Sequence, residues 1–487
     1  MIEQTAPIAE STYRELLSGL QAILADEELV IEPERLRVFE CDALTAYRRM
    51  PKVAALPRTE GQVQRILKLC DRLQVPVVTR GAGTGLSGGA LPHSAGLLLV
   101  MSRFDRILEI DPVRMLARVQ PGVRNAAVSE AAASHRLFYA PDPSSQIACS
   151  IGGNIAENAG GIHCLKYGLT HNNVASIRAL TVEGEVLTLG TEALENAGPE
   201  YRSMLIGSEG MLAAVTEITL RLLPLPVETR TLLAGFDSVA DASAAVKGII
   251  AAGMVPAALE MLDATTVAAV SEYCNCGYPP TAAAVLLADV DGAPAVATAD
   301  AEQLTGIFRD CGATSVSVAT DASERARLWL GRKSAFPALG RITPDYYCID
   351  GSIPRGEIGA VLADIEKLSK DAGILVANVF HAGDGNLHPI ILFDAGKAGE
   401  IDRVEALAGR ILERCIAAGG SITGEHGVGV EKIDQMATQF TDAEIAQFLA
   451  VKAALDPNGI LNPGKGVPSL RRCQEYRALK KHSEGAA

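Results

Sequence analysis

Five glycines fall within the ten positions Arg80-Gly81-Ala82-Gly83-Thr84-Gly85-Leu86-Ser87-Gly88-Gly89, directly after the apolar run Pro76-Val77-Val78-Thr79. Glycine admits positive φ and brings backbone N–H groups close to an anion, so a strand entering such a loop is suited to cradling a phosphate or turning tightly. Two familiar loops fail here. Gly83 to Gly88 matches the string of a dinucleotide fingerprint, but Gly89 and Pro92 stand where that motif opens a helix. A nucleoside-triphosphate loop requires Lys after Gly88, and Gly89 stands there. A diphosphate ligand held by another architecture is the expectation, with a tight packing turn as the alternative.

Further glycine-rich segments follow: Pro141-Asp142-Pro143-Ser144-Ser145, Ile151-Gly152-Gly153-Asn154, Glu157-Asn158-Ala159-Gly160-Gly161 and Gly207-Ser208-Glu209-Gly210. Close backbone approach at several separated points fits a long cofactor lying across one domain. Between these segments the apolar spacing of Val63, Ile66, Leu67, Cys70 and Leu73 predicts a helix. Residues 107–110 and 117–119 read as a hairpin, 125–135 as a helix, and 177–189 and 213–223 as strands. Turns are expected over 141–168.

The chain of 487 residues is too long for one ordinary core. The expected order is an N-terminal helical segment (1–50), a cofactor domain (51–226), an α+β domain with βαβ-like alternation (227–410), a C-terminal region returning to the cofactor domain (411–466) and a frayed polar tail (467–487). Pro224 and Pro226 punctuate the central boundary. The net charge of -14 argues against nucleic acid as the main partner, because phosphate backbones need a basic face. No basic-then-apolar leader opens the chain, and no run approaches the ~18 apolar residues of a membrane helix. A cytoplasmic protein is expected, with peripheral attachment at the inner face of a membrane through a partner as the alternative. The 10 cysteines include no CxxC pair, only a lone Cys274-Asn275-Cys276, so they read as small core residues in a reducing compartment.

Three of the 8 histidines lie in two short motifs, His381-Ala382-Gly383-Asp384-Gly385-Asn386-Leu387-His388 and Gly424-Glu425-His426-Gly427. Imidazole and carboxylate suit zinc or a similar first-row metal. The Gly-Asp-Gly-Asn turn allows the rings of His381 and His388 to converge, Glu425 offers a third ligand, and His426 remains as a general base. The alternative is that these are structural hydrogen-bonding histidines.

Residues 50–225 resemble the FAD-binding domain of the vanillyl-alcohol oxidase and p-cresol methylhydroxylase flavoprotein superfamily, on the Arg80–Gly89 loop, Pro141–Ser145 and the Gly152–Gly161 run. That resemblance implies an α+β fold, in which a two-subdomain FAD-binding domain is joined by an α+β cap domain. It implies FAD contacts from Arg80, Gly81, Ala82, Gly83, Thr84, Gly85, Gly88, Gly89, Pro141, Asp142, Ser145, Gly152, Asn154, Asn158, Gly160, Gly161, Glu209, Gly210 and Asn462. Members with covalent flavin often carry His where Thr84 stands, so non-covalent FAD is expected. The C-terminal half resembles FAD-linked 2-hydroxy-acid dehydrogenases. There the resemblance implies metal ligands at His381, His388 and Glu425, substrate contact at Asn386, a carboxylate-binding Arg332 and a base at His426.

Over nearly the whole chain the resemblance is to the glycolate enzymes of that family. It rests especially on Gln146-Ile147-Ala148-Cys149-Ser150 and on Pro344-Asp345-Tyr346-Tyr347-Cys348-Ile349-Asp350-Gly351. It implies oxidation of glycolate to glyoxylate, with hydride moving from C2 to flavin N5. It also implies a second flavin-binding subunit and an iron–sulfur subunit as electron-accepting partners. The alternatives are a D-lactate or D-2-hydroxyglutarate dehydrogenase, which shares these motifs, and a non-catalytic flavoprotein scaffold, which would be expected to lack the intact metal and base motifs. A metal hydrolase without flavin leaves the glycine loops unexplained.

Overall fold

The computed structural model describes residues 8–193 and 198–484. The first seven residues of the expected N-terminal segment and the last three of the expected tail lie outside them. The chain divides into two compact units. The first comprises residues 1–160, 169–224 and 425–487, and the second comprises 161–168 and 225–424.

Among its described residues the first unit holds two larger sheets and a two-stranded one that pairs Leu137–Phe138 with Leu223–Pro224. One of the larger two runs in the order Leu29–Val30, Val53–Ala55, Leu97–Val100, Val77–Arg80, and its last three strands are parallel. The helix Glu60–Leu73 is started by a capping box between Thr59 and Gln62 and buries Val63, Ile66, Leu67, Leu69 and Cys70 against this sheet's core. Parallel strands covered by a helix are apolar along their length, as Leu97-Leu98-Leu99-Val100 is. The other sheet is antiparallel, in the order Ile107–Asp111, Leu116–Val119, Ala214–Arg221, Val174–Leu180, Val186–Gly190. The glycine loop leaves the carboxyl end of Val77–Arg80 and enters no helix.

Two regions differ from the sequence reading. Residues 141–168, expected as turns, contain the helices Ile151–Glu157 and Cys164–Tyr167. Ser150 caps the former by accepting the Gly153 N–H, which lets Gly152 and Gly153 sit in its first turn. The tail, expected to fray, forms the helix Leu470–Glu484. It buries Cys473 and is fastened by Arg472 Nε to Asp434 (2.6 Å) and Arg477 Nε to the Ala437 carbonyl (2.9 Å).

In the second unit the strands alternate with helices as the sequence indicates, but they pair antiparallel rather than as βαβ units. The sheet order is Ser315–Val318, Glu228–Phe236, Ala284–Gly292, Ala258–Asp263, Val376–His381, Asn386–Leu387, Gly351–Ser352. The helices Val239–Ala251 and Pro294–Asp310 bury their small and apolar faces. Among the described residues no helix is long and apolar enough to cross a membrane.

Candidate functional site

In the first unit, chain segments far apart in sequence meet around the glycine loop. Gly81 lies against the helix cap at Ser150: a Cβ there would fall 2.2 Å from Ser150 Oγ, so no larger residue fits. Asn462, at φ 43°, donates from Nδ2 to the carbonyls of Gly89 (3.0 Å) and Glu209 (2.6 Å) and so ties two glycine segments together. The fully buried Lys465 donates to the Gly89 carbonyl (3.0 Å), to Asn462 Oδ1 (2.7 Å) and to the Leu91 carbonyl. Burial pushes its ammonium down to about 7, against the attraction of Asp42, while burial lifts Asp42 to about 6.

Several residues expected to touch the cofactor are already engaged with the protein. Arg80 Nη1 donates to the Cys41 carbonyl at 2.9 Å, and Asn158 Oδ1 accepts the His171 N–H at 2.9 Å. The Pro141 carbonyl accepts from Asn125 Nδ2 at 3.0 Å, which fixes the Pro141–Ser145 turn. Asn154 differs, because its buried Nδ2 has no hydrogen-bond partner among the described residues. Ala82, Gly83, Thr84, Gly85 and Gly88 line the loop itself, and Gly152, Gly160 and Gly210 belong to the same unit, whereas Gly161 begins the short segment assigned to the second unit. A glycine cradle with close backbone approach, beside a buried amide lacking a partner, fits a long polar cofactor such as FAD.

Glu209 carries out a task that its motif did not announce. Its carboxylate accepts the N–H groups of Val428 and Gly429, each at 2.7 Å, and so fixes the turn that follows His426. Glu157 stands beside it: a Cβ on Gly89 would meet Glu157 Oε1 at 2.6 Å and Glu209 Oε2 at 3.4 Å. Burial first and the neighbouring Glu209 second raise Glu157 well above the ordinary carboxylate range, and burial raises Glu209 against its two backbone donors. In the same unit Glu425 Oε2 accepts the Gly160 N–H at 3.0 Å.

In the second unit, His381 ends the strand Val376–His381 and pairs across a hairpin with Asn386. Asp384 Oδ1 accepts the Asn386 N–H at 2.9 Å, and Gly385, at φ 84°, packs so closely that a Cβ would lie 2.2 Å from the Ile353 carbonyl. This turn places the two buried rings of His381 and His388 edge to face, with centroids 5.1 Å apart. Glu260, completely buried on the adjacent strand, joins His381 Nδ1 (2.7 Å) and Arg332 Nε (2.7 Å) through its two oxygens. That Nε bond is the only side-chain hydrogen bond of Arg332 among the described residues. Burial raises Glu260, but His381 and Arg332 more than offset it, and the carboxyl is held below its ordinary range. Two convergent imidazoles, one of them anchored by a carboxylate at Nδ1, form a donor set that fits a divalent metal.

The Asn386 Oδ1 atom is buried without a hydrogen-bond partner among the described residues, beside Gly424, whose Cβ would fall 2.3 Å from it. Gly424 N–H and Thr423 Oγ1 both donate to the buried Asp350, at 2.9 and 2.5 Å. Asp350 thereby fixes the end of the second unit's last segment, and the next residues in the chain are Glu425 and His426. Glu260 and Asp350 were not singled out as site residues by the sequence reading. A lone acid within Ala258-Leu259-Glu260-Met261-Leu262 was the available signal, because an isolated carboxylate in an apolar strand needs a buried partner.

A family model described as the FAD binding domain matches residues 51–190, and one described as the C-terminal domain of FAD linked oxidases matches residues 225–466. The chain is 55% identical to the glycolate oxidase subunit GlcD of Escherichia coli over 96% of its own length and 93% of that protein's. It is 39% identical to the GlcD subunit of Bacillus subtilis, over 88% of this chain and 91% of that one. The fold matches that of p-cresol methylhydroxylase with substrate bound, at a TM-score of 0.82 and 17% identity, covering 96% of this chain and 99% of the other.

Proposed function

The chain belongs to the FAD-linked oxidase family, and on that premise we propose that it is the catalytic FAD subunit that oxidises glycolate to glyoxylate. The observation that carries this reading is the buried Arg332–Glu260–His381 chain beside His388, in a protein so similar to the GlcD subunits. It puts a guanidinium fork for a carboxylate in one polar cluster with metal-type ligands for the neighbouring hydroxyl.

FAD would be held by the glycine segments and Asn154, and a divalent metal, zinc by its donor chemistry, by His381, His388 and Glu425. When bound, the flavin supplies a hydride acceptor and the metal supplies Lewis acidity toward the 2-hydroxyl. Arg332 orients the substrate carboxylate, and its charge is balanced by Glu260. The Asn386 amide contacts the substrate. His426 takes the hydroxyl proton, from a turn whose following residues are held by Glu209. Thr84, where covalent members carry His, leaves the flavin non-covalent, and acid precipitation is expected to leave a colourless pellet. Electrons pass to a second flavin-binding subunit and an iron–sulfur subunit, in keeping with the subunit status that the relatives' names state.

Anaerobic mixing of the purified flavoprotein with glycolate, D-lactate, L-lactate and D-2-hydroxyglutarate tests the reading by loss of the oxidised-flavin absorbance. Fastest bleaching by glycolate is the expected result. Fastest bleaching by another acid overturns the substrate, and no bleaching by any of them overturns the catalytic assignment. His426→Ala is expected to retain FAD and lose roughly 10²- to 10⁴-fold in flavin reduction rate; near-parental reduction removes His426 as the base.

A further inference from the structure

We propose that Glu260 is a positioning residue that sets the tautomer of His381 and the orientation of Arg332 together, through one carboxylate. The inference rests on the reading of His381 and His388 as metal ligands and of Arg332 as the carboxylate-binding residue.

The geometry is specific. One Glu260 oxygen lies 2.7 Å from His381 Nδ1 and the other 2.7 Å from Arg332 Nε, and no part of the side chain reaches solvent. A carboxylate only accepts, so both contacts require a donor opposite. Arg332 Nε always donates. His381 must then carry its proton on Nδ1, which leaves Nε2 with its lone pair outward, the form a metal needs. The guanidinium is pinned through Nε alone, so its η edge keeps the two parallel donors that suit a substrate carboxylate. Strand pairing supports the arrangement, because Glu260 and His381 stand opposite each other in the ladder between Ala258–Asp263 and Val376–His381. The anchor is thus part of the sheet and not of a mobile loop.

Glutamine at this position separates the role from mere packing. Its amide has one acceptor and one donor end. With the NH₂ toward His381, Nδ1 must accept, and the proton moves to Nε2, where it blocks a metal. With the NH₂ toward Arg332, two donors face each other and the guanidinium turns away. Either way one of the two functions fails while side-chain volume is kept.

The test uses the FAD-loaded enzyme and zinc alone, with affinity read by competition against a chromophoric chelator and metal content read by elemental analysis. Glu260→Gln is expected to bind zinc about 10- to 100-fold more weakly, as loss of a carboxylate behind a ligating histidine typically does. Arg332→Met, which disturbs the same cluster but leaves Glu260 on His381, is expected to bind zinc within about threefold of the parent, well inside the range of that loss. Parent-like zinc affinity in Glu260→Gln, together with flavin reduction that half-saturates at the parental glycolate concentration, overturns the proposal, because then neither function has failed; so does an equal loss of zinc affinity in both variants, which would mark general damage to the cluster. If Glu260→Gln does not fold, Glu260→Asp is read in the same way: it keeps the charge but is too short to span both contacts, so weakened zinc binding supports the role and parental binding overturns it. A parent enzyme that binds no zinc overturns the metal reading itself. A parent that binds zinc and is reduced by glycolate, with a matching Glu260→Gln, overturns only the role of Glu260.

Discussion

Glutamates packed in the interiors of the two units meet opposite company. In the first unit Glu157 and Glu209 face each other beside Gly89, and both titrate above the ordinary carboxylate range. In the second unit Glu260, which is wholly buried, is held below that range between His381 and Arg332. Burial acts in the same direction on all three, so the sign of the outcome is set by the neighbours. The first unit spends Glu209 on the backbone N–H groups of Val428 and Gly429, which shapes a turn, whereas the second spends Glu260 on two side chains, which orients chemistry.

If this contrast is correct, breaking the ion pair of Glu260 should destabilise the second unit, whereas replacing the protonated Glu157 by its neutral amide should not destabilise the first. The largest effect is expected from Arg332→Met. It breaks a buried ion pair and leaves Glu260 with His381 as its remaining partner, a loss of about 3 to 5 kcal/mol of stability. Chemical denaturation without substrate measures it, and a loss below ~1 kcal/mol, the size of an exposed pair, would mean that Glu260 does not depend on Arg332 for its charge. Next comes Glu209→Ala, which leaves the buried Gly429 N–H and the half-buried Val428 N–H without their acceptor, at about 1 to 3 kcal/mol for the buried one. The same denaturation curves, together with slower flavin reduction at retained FAD, would show that the turn after His426 has loosened; unchanged reduction would confine Glu209 to stability.

The smallest effect, and of opposite sign, is expected from Glu157→Gln. The native carboxyl keeps a proton that the unfolded chain, with its group near the ordinary 4.5, has already released. The parent therefore loses stability as pH rises above that value, and glutamine, which cannot ionise, escapes the loss. The variant should be the more stable by on the order of 1 kcal/mol at about pH 8, with the advantage shrinking toward about pH 5. Melting curves across that range check it, and an advantage that grows toward acid would reverse the assignment of Glu157.

Much of the cofactor region was legible because its constraints are local. The strand at 77–80, the glycine run after it, the absence of a helix at Gly89, and the Gly424–His426 motif are statements about neighbouring residues. The Asp384–Gly385 turn is of the same kind, and it brings His381 and His388 together. The helix Ile151–Glu157 was obscured by its two glycines, whose low helix propensity is overridden by the Ser150 cap and by close packing against Pro121. The tail helix Leu470–Glu484 was obscured because its polar composition reads as solvated, and what holds it are the partners Asp434 and Ala437.

What the sequence determined by itself was therefore the inventory: a glycine cradle of the flavoprotein type, two histidine motifs with a carboxylate, and an arginine placed by resemblance. Which protein groups those residues meet was decided by tertiary structure. Arg80 and Glu209 are expected cofactor contacts, and the fold also gives them protein partners that the sequence does not announce: Arg80 donates to the Cys41 carbonyl, and Glu209 accepts from Val428 and Gly429. Glu260 carries no motif, yet the register between two strands sets it opposite His381 and within reach of Arg332, 72 residues away in the chain. The physical reason is that a hydrogen bond or ion pair depends on separation in space, and only the pairing of strands and the closing of the core fix that separation for residues distant in sequence.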